Sequence, residues 1–99
     1  MKDKKVLIAY DISANKRRRK VADSLERCGM RINKSVFICT LSRELDLPDL
    51  VEMVTSLIDR RDHVFFLPLC KGCYEAAWSV GAGTAAPRSR RKRKTRLIG

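Results

Sequence analysis

Asp11 directly follows a run of apolar strand formers, Val6-Leu7-Ile8-Ala9-Tyr10. A carboxylate just past the carboxyl end of a buried strand is placed to hold Mg²⁺, provided substrate phosphates and water complete the octahedron. The ion would polarise a phosphate and generate an attacking hydroxide, the chemistry of a metal-dependent phosphodiesterase. One Asp per chain is a thin ligand set, and a dimer with Asp11 near its two-fold axis would supply two. The plainer reading makes Asp11 a turn residue that caps the next helix.

Five cations follow as Lys16-Arg17-Arg18-Arg19-Lys20. They fall in the first turns of a predicted helix, at the positive end of its dipole, where each is unfavourable by roughly 0.3–1 kcal/mol at low salt. A local rule broken this clearly points to function. A polyanion would cancel both the side-chain charge and the dipole. The bland alternative is a solvated basic face. Arg31 and Lys34 would extend the basic surface. Phe37 would either stack on a base or fill the core, and a core phenylalanine at strand spacing is the simpler reading. Lys34-Ser35-Val36-Phe37-Ile38 does not match the aromatic strand signature of RNA-recognition-motif proteins.

Cys70-Lys71-Gly72-Cys73 is half of a tetrahedral zinc site, and two chains would pool four thiolates. A redox role needs the pair at a helix N-terminus in a thioredoxin-like unit, which the order of elements here does not resemble. A loop with free thiols is the plainer reading. Cys28 and Cys39 lie at no ligand spacing and read as core residues. The single histidine, His63, has nothing near it in sequence that would build a Ser-His-Asp triad.

The elements that must position these groups are legible in outline. Val6 to Tyr10 reads as a central strand buried on both faces. Ser13 or Asn15 offers an N-cap. Arg18, Val21, Ala22, Leu25 and Cys28 then recur at helical spacing, and Gly29 sits where a glycine closes a helix. Met30 to Leu41 is one kinked strand or two short ones around Lys34-Ser35. Pro48 and Asp49 open a second helix with Leu50, Val51, Val54, Leu57 and Ile58 as its apolar stripe and Arg60-Arg61 at its negative end. His63 to Leu69 is a strand that Pro68 confines to an edge or terminal position. Tyr74 to Val80 is ambiguous between helix and strand. Two helices on one face of a mostly antiparallel sheet is an α+β, ferredoxin-like βαββαβ plan.

The 99 residues suit one domain, read as residues 1–83, with a basic tail at 84–99 that would be disordered until bound. The formal charge of +11 divides into seven positive charges on residues 88–96 and +4 on the remainder. An anionic partner would account for such a surplus. No run approaches the ~20 apolar residues of a membrane span. The first apolar run stops too early for a signal-peptide core, so the chain reads as cytoplasmic and its cysteines as reduced.

Four segments in order carry a resemblance: Val-Leu-Ile-Ala-Tyr-Asp-Ile-Ser (6–13), Lys-Arg-Arg-Arg-Lys-Val-Ala (16–22), Gly-Met-Arg-Ile-Asn-Lys-Ser-Val-Phe (29–37) and Phe-Leu-Pro-Leu-Cys-Lys-Gly-Cys (66–73). They resemble the CRISPR-associated protein Two family, the small subunit of the spacer-acquisition machinery, over about residues 4–83. The resemblance implies a ferredoxin-like homodimer with an extra C-terminal strand exchanged onto the partner's sheet, which would make Tyr74 to Val80 a strand. It also implies Asp11 as a catalytic Mg²⁺ ligand shared across the dimer axis, in an endonuclease on single-stranded RNA or duplex DNA. A second implied role is a scaffold that bridges integrase dimers (CRISPR-associated protein One) and holds the new spacer duplex. Lys16, Arg17 to Arg19 and Arg31 would bind nucleic acid, with Tyr10, Ser35 and Phe37 as supporting motif positions. Asn33 and Ile38 depart from the Gln and Glu common in that family. Competing readings are a toxin-like, metal-dependent ribonuclease and a zinc or thiol module on Cys70 and Cys73.

Overall fold

The structure is a computed structural model that describes residues 4–81; the basic tail at 84–99 lies outside them. The order is β1 (Lys4–Asp11), α1 (Asn15–Glu26), β2 (Gly29–Asn33), β3 (Val36–Leu41), α2 (Leu47–Thr55), β4 (His63–Leu69) and α3 (Lys71–Glu75). The sheet runs β2-β3-β1-β4, with every neighbouring pair antiparallel. This is the ferredoxin-like arrangement that the spacing of apolar residues implies.

Alternation along the strands divides the sheet into two unlike faces. Val6, Ile8 and Tyr10 of β1 share one face with Phe37 and Cys39 of β3 and Val64 and Phe66 of β4. Val21, Ala22 and Leu25 of α1, with Leu50 and Val54 of α2, close over them as the core. Leu7, Ile38 and Leu67 form a row on the opposite face, and Ala9, Val36 and Phe65 form the next. Phe65 is 50% exposed and Leu67 43%. β1 is therefore central, but in the single chain only one of its faces is fully covered.

Some local expectations are settled and others corrected. The Lys34-Ser35 step is a turn between two strands, and the register slips between Arg31 and Asn33. The N-cap of α1 is Ala14, whose methyl side chain can accept no bond, so neither Ser13 nor Asn15 is the cap; Asn15 is the first helical residue and its amide oxygen accepts from Arg18. Gly29 opens β2 instead of closing α1. A Cβ there would lie 2.6 Å from the Cys39 Cα and would collide with the Ile38 carbonyl oxygen, so close strand approach demands a glycine. α2 is capped by a reciprocal Asp46–Asp49 box with Pro48 in its first turn, and it ends at Thr55. Leu57, Ile58 and Arg60-Arg61 thus lie beyond it. Pro68 sits on the edge strand, where a missing N–H costs least. Tyr74 to Val80 holds the end of α3 and no strand. A strand needs a neighbour's backbone to pair with, and none of the four in this sheet is paired with that segment.

Candidate nucleic-acid interface

The carboxyl end of β1, the start of α1 and the β2–β3 turn surround a cleft of about 730 Å³. It gathers Tyr10, Asp11, Arg18, Arg19, Arg31, Lys34 and Ser35 from the sequence-based candidates. Lys16, Arg17 and Phe37 are not among its lining residues. Arg18, Arg19, Arg31 and Lys34 face three carboxylates there, Asp11, Asp23 and Glu26, so the cleft is of mixed charge instead of uniformly basic.

The cations divide by what already holds them. Arg17 donates from Nε to Asp62 Oδ2 at 2.7 Å and from Nη2 to Asp62 Oδ1 at 3.1 Å. This fork-to-fork pair ties α1 to the loop before β4, with Asp59 4.0 Å away. The Asp62 side chain is 1% exposed. Arg18 turns inward to the Ile12 carbonyl at 2.8 Å and so closes the β1–α1 connection. Arg31 lies 3.6 Å from Glu26, donates to the Lys34 carbonyl at 3.3 Å and sits 5.2 Å over the Phe37 ring. Lys16, Arg19 and Lys20 are exposed, and none of the hydrogen bonds or ion pairs among the described residues engages their side chains. These three remain free to meet an anion.

The Arg17 pair also makes a pH prediction. The guanidinium hydrogen bond, then the Asp59 backbone N–H, hold the Asp62 carboxyl below the ordinary carboxylate range. A lowered folded-state pKa contributes stability above the unfolded value of about 3.9, and that contribution is lost as pH falls through the folded value. Asp62→Asn should therefore lower the melting midpoint at pH 7. Its gap from wild type should narrow as melts are taken to pH values below the unfolded carboxylate range, about 3.9, and into the lowered folded range.

Asp11 is exposed at the rim, and among the described residues no hydrogen bond or ion pair engages its carboxylate. The β1–β4 register sets it directly opposite His63, on the open face of the sheet. Sequence distance hides this neighbour; only the strand register supplies it. No three His, Cys, Asp or Glu side chains converge on one point among the described residues. A free, exposed carboxylate still suits Mg²⁺, which keeps several waters and often takes only one or two protein carboxylates. The other ligands would come from phosphate, water or a second copy.

The supporting residues are structural. Tyr10 is buried, donates from its hydroxyl to the Lys34 carbonyl at 3.2 Å and stacks on Phe37 at 6.2 Å between centroids. The Ser35 carbonyl accepts from the Tyr10 amide at 3.0 Å. Phe37 is completely buried and presents no face to a base. Cys70 caps α3, its sulfur accepting from the Cys73 amide at 3.3 Å; that bond and the Cys73 thiol pull the Cys70 thiol down.

A profile of the family described as CRISPR associated protein Cas2 matches residues 4–77. The chain belongs to the Cas2 family. It is 38% identical over 82 residues to CRISPR-associated endoribonuclease Cas2 1 of Chloroflexus aurantiacus, covering 78% of this chain and 84% of that protein. With CRISPR-associated endoribonuclease Cas2 3 of Synechocystis it shares 57% identity over 37 residues, 37% of this chain and 40% of that protein. Crystalline Cas2 of Streptococcus pyogenes superposes with a TM-score of 0.69 at 29% identity, over 78% of this chain and 99% of that one. A hypothetical protein of Thermus thermophilus gives 0.63 at 35% identity, over 69% of this chain and 83% of that one. No helix among the described residues is long and apolar enough to cross a membrane.

Proposed function

We propose that the chain acts in CRISPR spacer acquisition as a dimeric nucleic-acid scaffold that bridges integrase dimers and holds the spacer duplex, with Asp11 as the site of metal-dependent phosphodiester hydrolysis. The observation that carries the reading is the free Asp11 carboxylate across a cleft from Arg19, on a chain of this family. Lys16, Arg19 and Lys20 offer unpaired cations to a phosphate backbone, which binds through charge and without regard to sequence. The uncapped start of α1 adds backbone N–H groups to that surface. Mg²⁺ would contribute charge neutralisation at the scissile phosphate and a more acidic bound water. Asp11 would hold it, while Arg19 and Lys34 fix the flanking phosphates.

The homodimer is supported by the uncovered apolar rows through Leu7, Ile38 and Leu67 and through Ala9, Val36 and Phe65. A second copy covering that face would bring two Asp11–His63 rows towards one axis. Trp78, 64% exposed, and Val80, 52%, lie in the segment that would add as a strand to the partner's free β4 edge.

The deciding measurement is duplex-DNA affinity across a salt series. Wild type should lose affinity steeply with salt. Replacing Lys16, Arg19 and Lys20 together with Ala should reduce the log–log salt slope by about 2–3 and weaken binding by roughly 10–100-fold near 0.1 M salt. Affinity indifferent to both salt and the triple substitution would sink the scaffold reading.

A further inference from the structure

Cys28 and Cys39 are eleven residues apart in sequence, yet their sulfurs meet at 3.0 Å. Gly29 makes this approach. It stands opposite Cys39 in the β2–β3 ladder, and a Cβ on it would lie 2.7 Å from the Cys39 sulfur. The Cys39 sulfur thus fills the space that a side chain at 29 would occupy, beside the end of α1. Both sulfurs also approach the Leu25 carbonyl, at 3.6 Å from Cys28 and 3.8 Å from Cys39. Cys28 is half-buried and reachable from solvent, whereas Cys39 is wholly buried.

We propose that Cys28 and Cys39 form an oxidisable dithiol, with Cys28 as the peroxide-reactive thiol and Cys39 as the thiol that resolves it to an intrachain disulfide. The two sulfurs differ in the required sense. A hydrogen bond from Cys39 pulls the Cys28 thiol down to about 7, and the same bond, with burial, pushes Cys39 up. Near neutral pH the accessible sulfur is therefore the nucleophile.

The chemistry balances with a hydroperoxide as oxidant. The Cys28 thiolate attacks one oxygen of hydrogen peroxide, the O–O bond breaks, and a sulfenic acid and one water result once the released hydroxide is protonated. The Cys39 sulfur then attacks the Cys28 sulfur; the S–S bond forms, the S–O bond breaks and a second water leaves with the Cys39 proton. Two thiols are oxidised, both peroxide oxygens are reduced, and no further reactant is needed. The bond would close residues 28–39, a segment holding β2, Arg31, Lys34 and Ser35. It would therefore lock one wall of the cleft to the end of α1.

The test uses the full chain carrying Cys70→Ser and Cys73→Ser, so that only this pair can react. After treatment with hydrogen peroxide, free thiols should fall from two to none per chain while the protein migrates as a single chain on a non-reducing gel. Trypsin cuts after Arg27, Arg31, Lys34 and Arg43, so a disulfide-linked peptide pair 28–31 and 35–43 should appear and vanish on reduction. Adding Cys39→Ser should leave a Cys28 sulfenic acid that dimedone captures, an adduct scarce when Cys39 is present. Two alkylatable thiols after treatment, or a linkage found only between chains, would overturn the proposal. The linked-peptide result stands alone if the Cys39→Ser chain does not fold.

Discussion

Asp11→Asn is expected to lower Mg²⁺-dependent cleavage of single-stranded RNA by about 10²–10³-fold, the usual loss when one electrostatic contributor to a transition state is removed. The expectation is sharp because the change should do little else. The Asp11 carboxylate is exposed, and among the described residues it makes no hydrogen bond or ion pair that folding would miss. An isolated surface substitution of this kind usually alters stability by no more than about 0.5 kcal/mol. The melting midpoint should therefore stay put while cleavage collapses, and duplex binding should hold or strengthen as a negative charge leaves the phosphate surface. Gel assays of RNA and duplex DNA side by side, with and without chelator, separate the outcomes. Cleavage that persists at the wild-type rate, or that survives chelation, would assign hydrolysis to another site.

The same logic explains why five adjacent cations should not behave alike. Lys16, Arg19 and Lys20 are exposed and unengaged, so their loss should appear in binding. Arg17 and Arg18 hold α1 to the loop before β4 and to the β1–α1 turn. Their loss should appear first in stability, and any binding defect would follow from displacement of the helix. The cations set against the α1 dipole thus fall into two groups: two held by tertiary pairing, and three that stand exposed and unengaged among the described residues.

That division marks what the sequence discloses. Apolar periodicity locates the strands and the buried stripe of α1 because each depends on residues close in the chain. Pro48 with Asp49 similarly marks the start of α2. The partner of Arg17 is 45 residues away, and nothing local distinguishes Asp62 from other surface carboxylates until the fold buries it. His63 faces Asp11 only through the β1–β4 register. Cys28 and Cys39 look like unrelated core thiols until the β2–β3 ladder brings Gly29 against Cys39. Local sequence alone gives Gly29 a helix-closing role; its real constraint is a backbone contact made by another strand. Tyr74 to Val80 shows the same limit, since strand formation there depends on what backbone lies beside it.

Phe37→Ala should be the most damaging single change to the fold, costing about 3–5 kcal/mol. The ring is completely buried. It stacks on Tyr10 and is covered on another side by the Arg31 guanidinium. Truncation would leave a cavity where β1, β3 and the cleft wall meet, and Tyr10 would lose the neighbour that aims its hydroxyl at the Lys34 carbonyl. Small domains are stable by only about 5–15 kcal/mol in total, so this loss is a large share. Phe37→Leu keeps most of the volume and should cost under about 1.5 kcal/mol. Urea unfolding of the two variants measures the difference, and the Leu variant also tests the competing role for this ring. Stacking on a base is worth about 1–3 kcal/mol and vanishes without an aromatic face. The folded Phe37→Leu protein should therefore keep whatever nucleic-acid affinity wild type has, because a ring completely buried beneath Arg31 packs the domain and offers no face on which a base could stack.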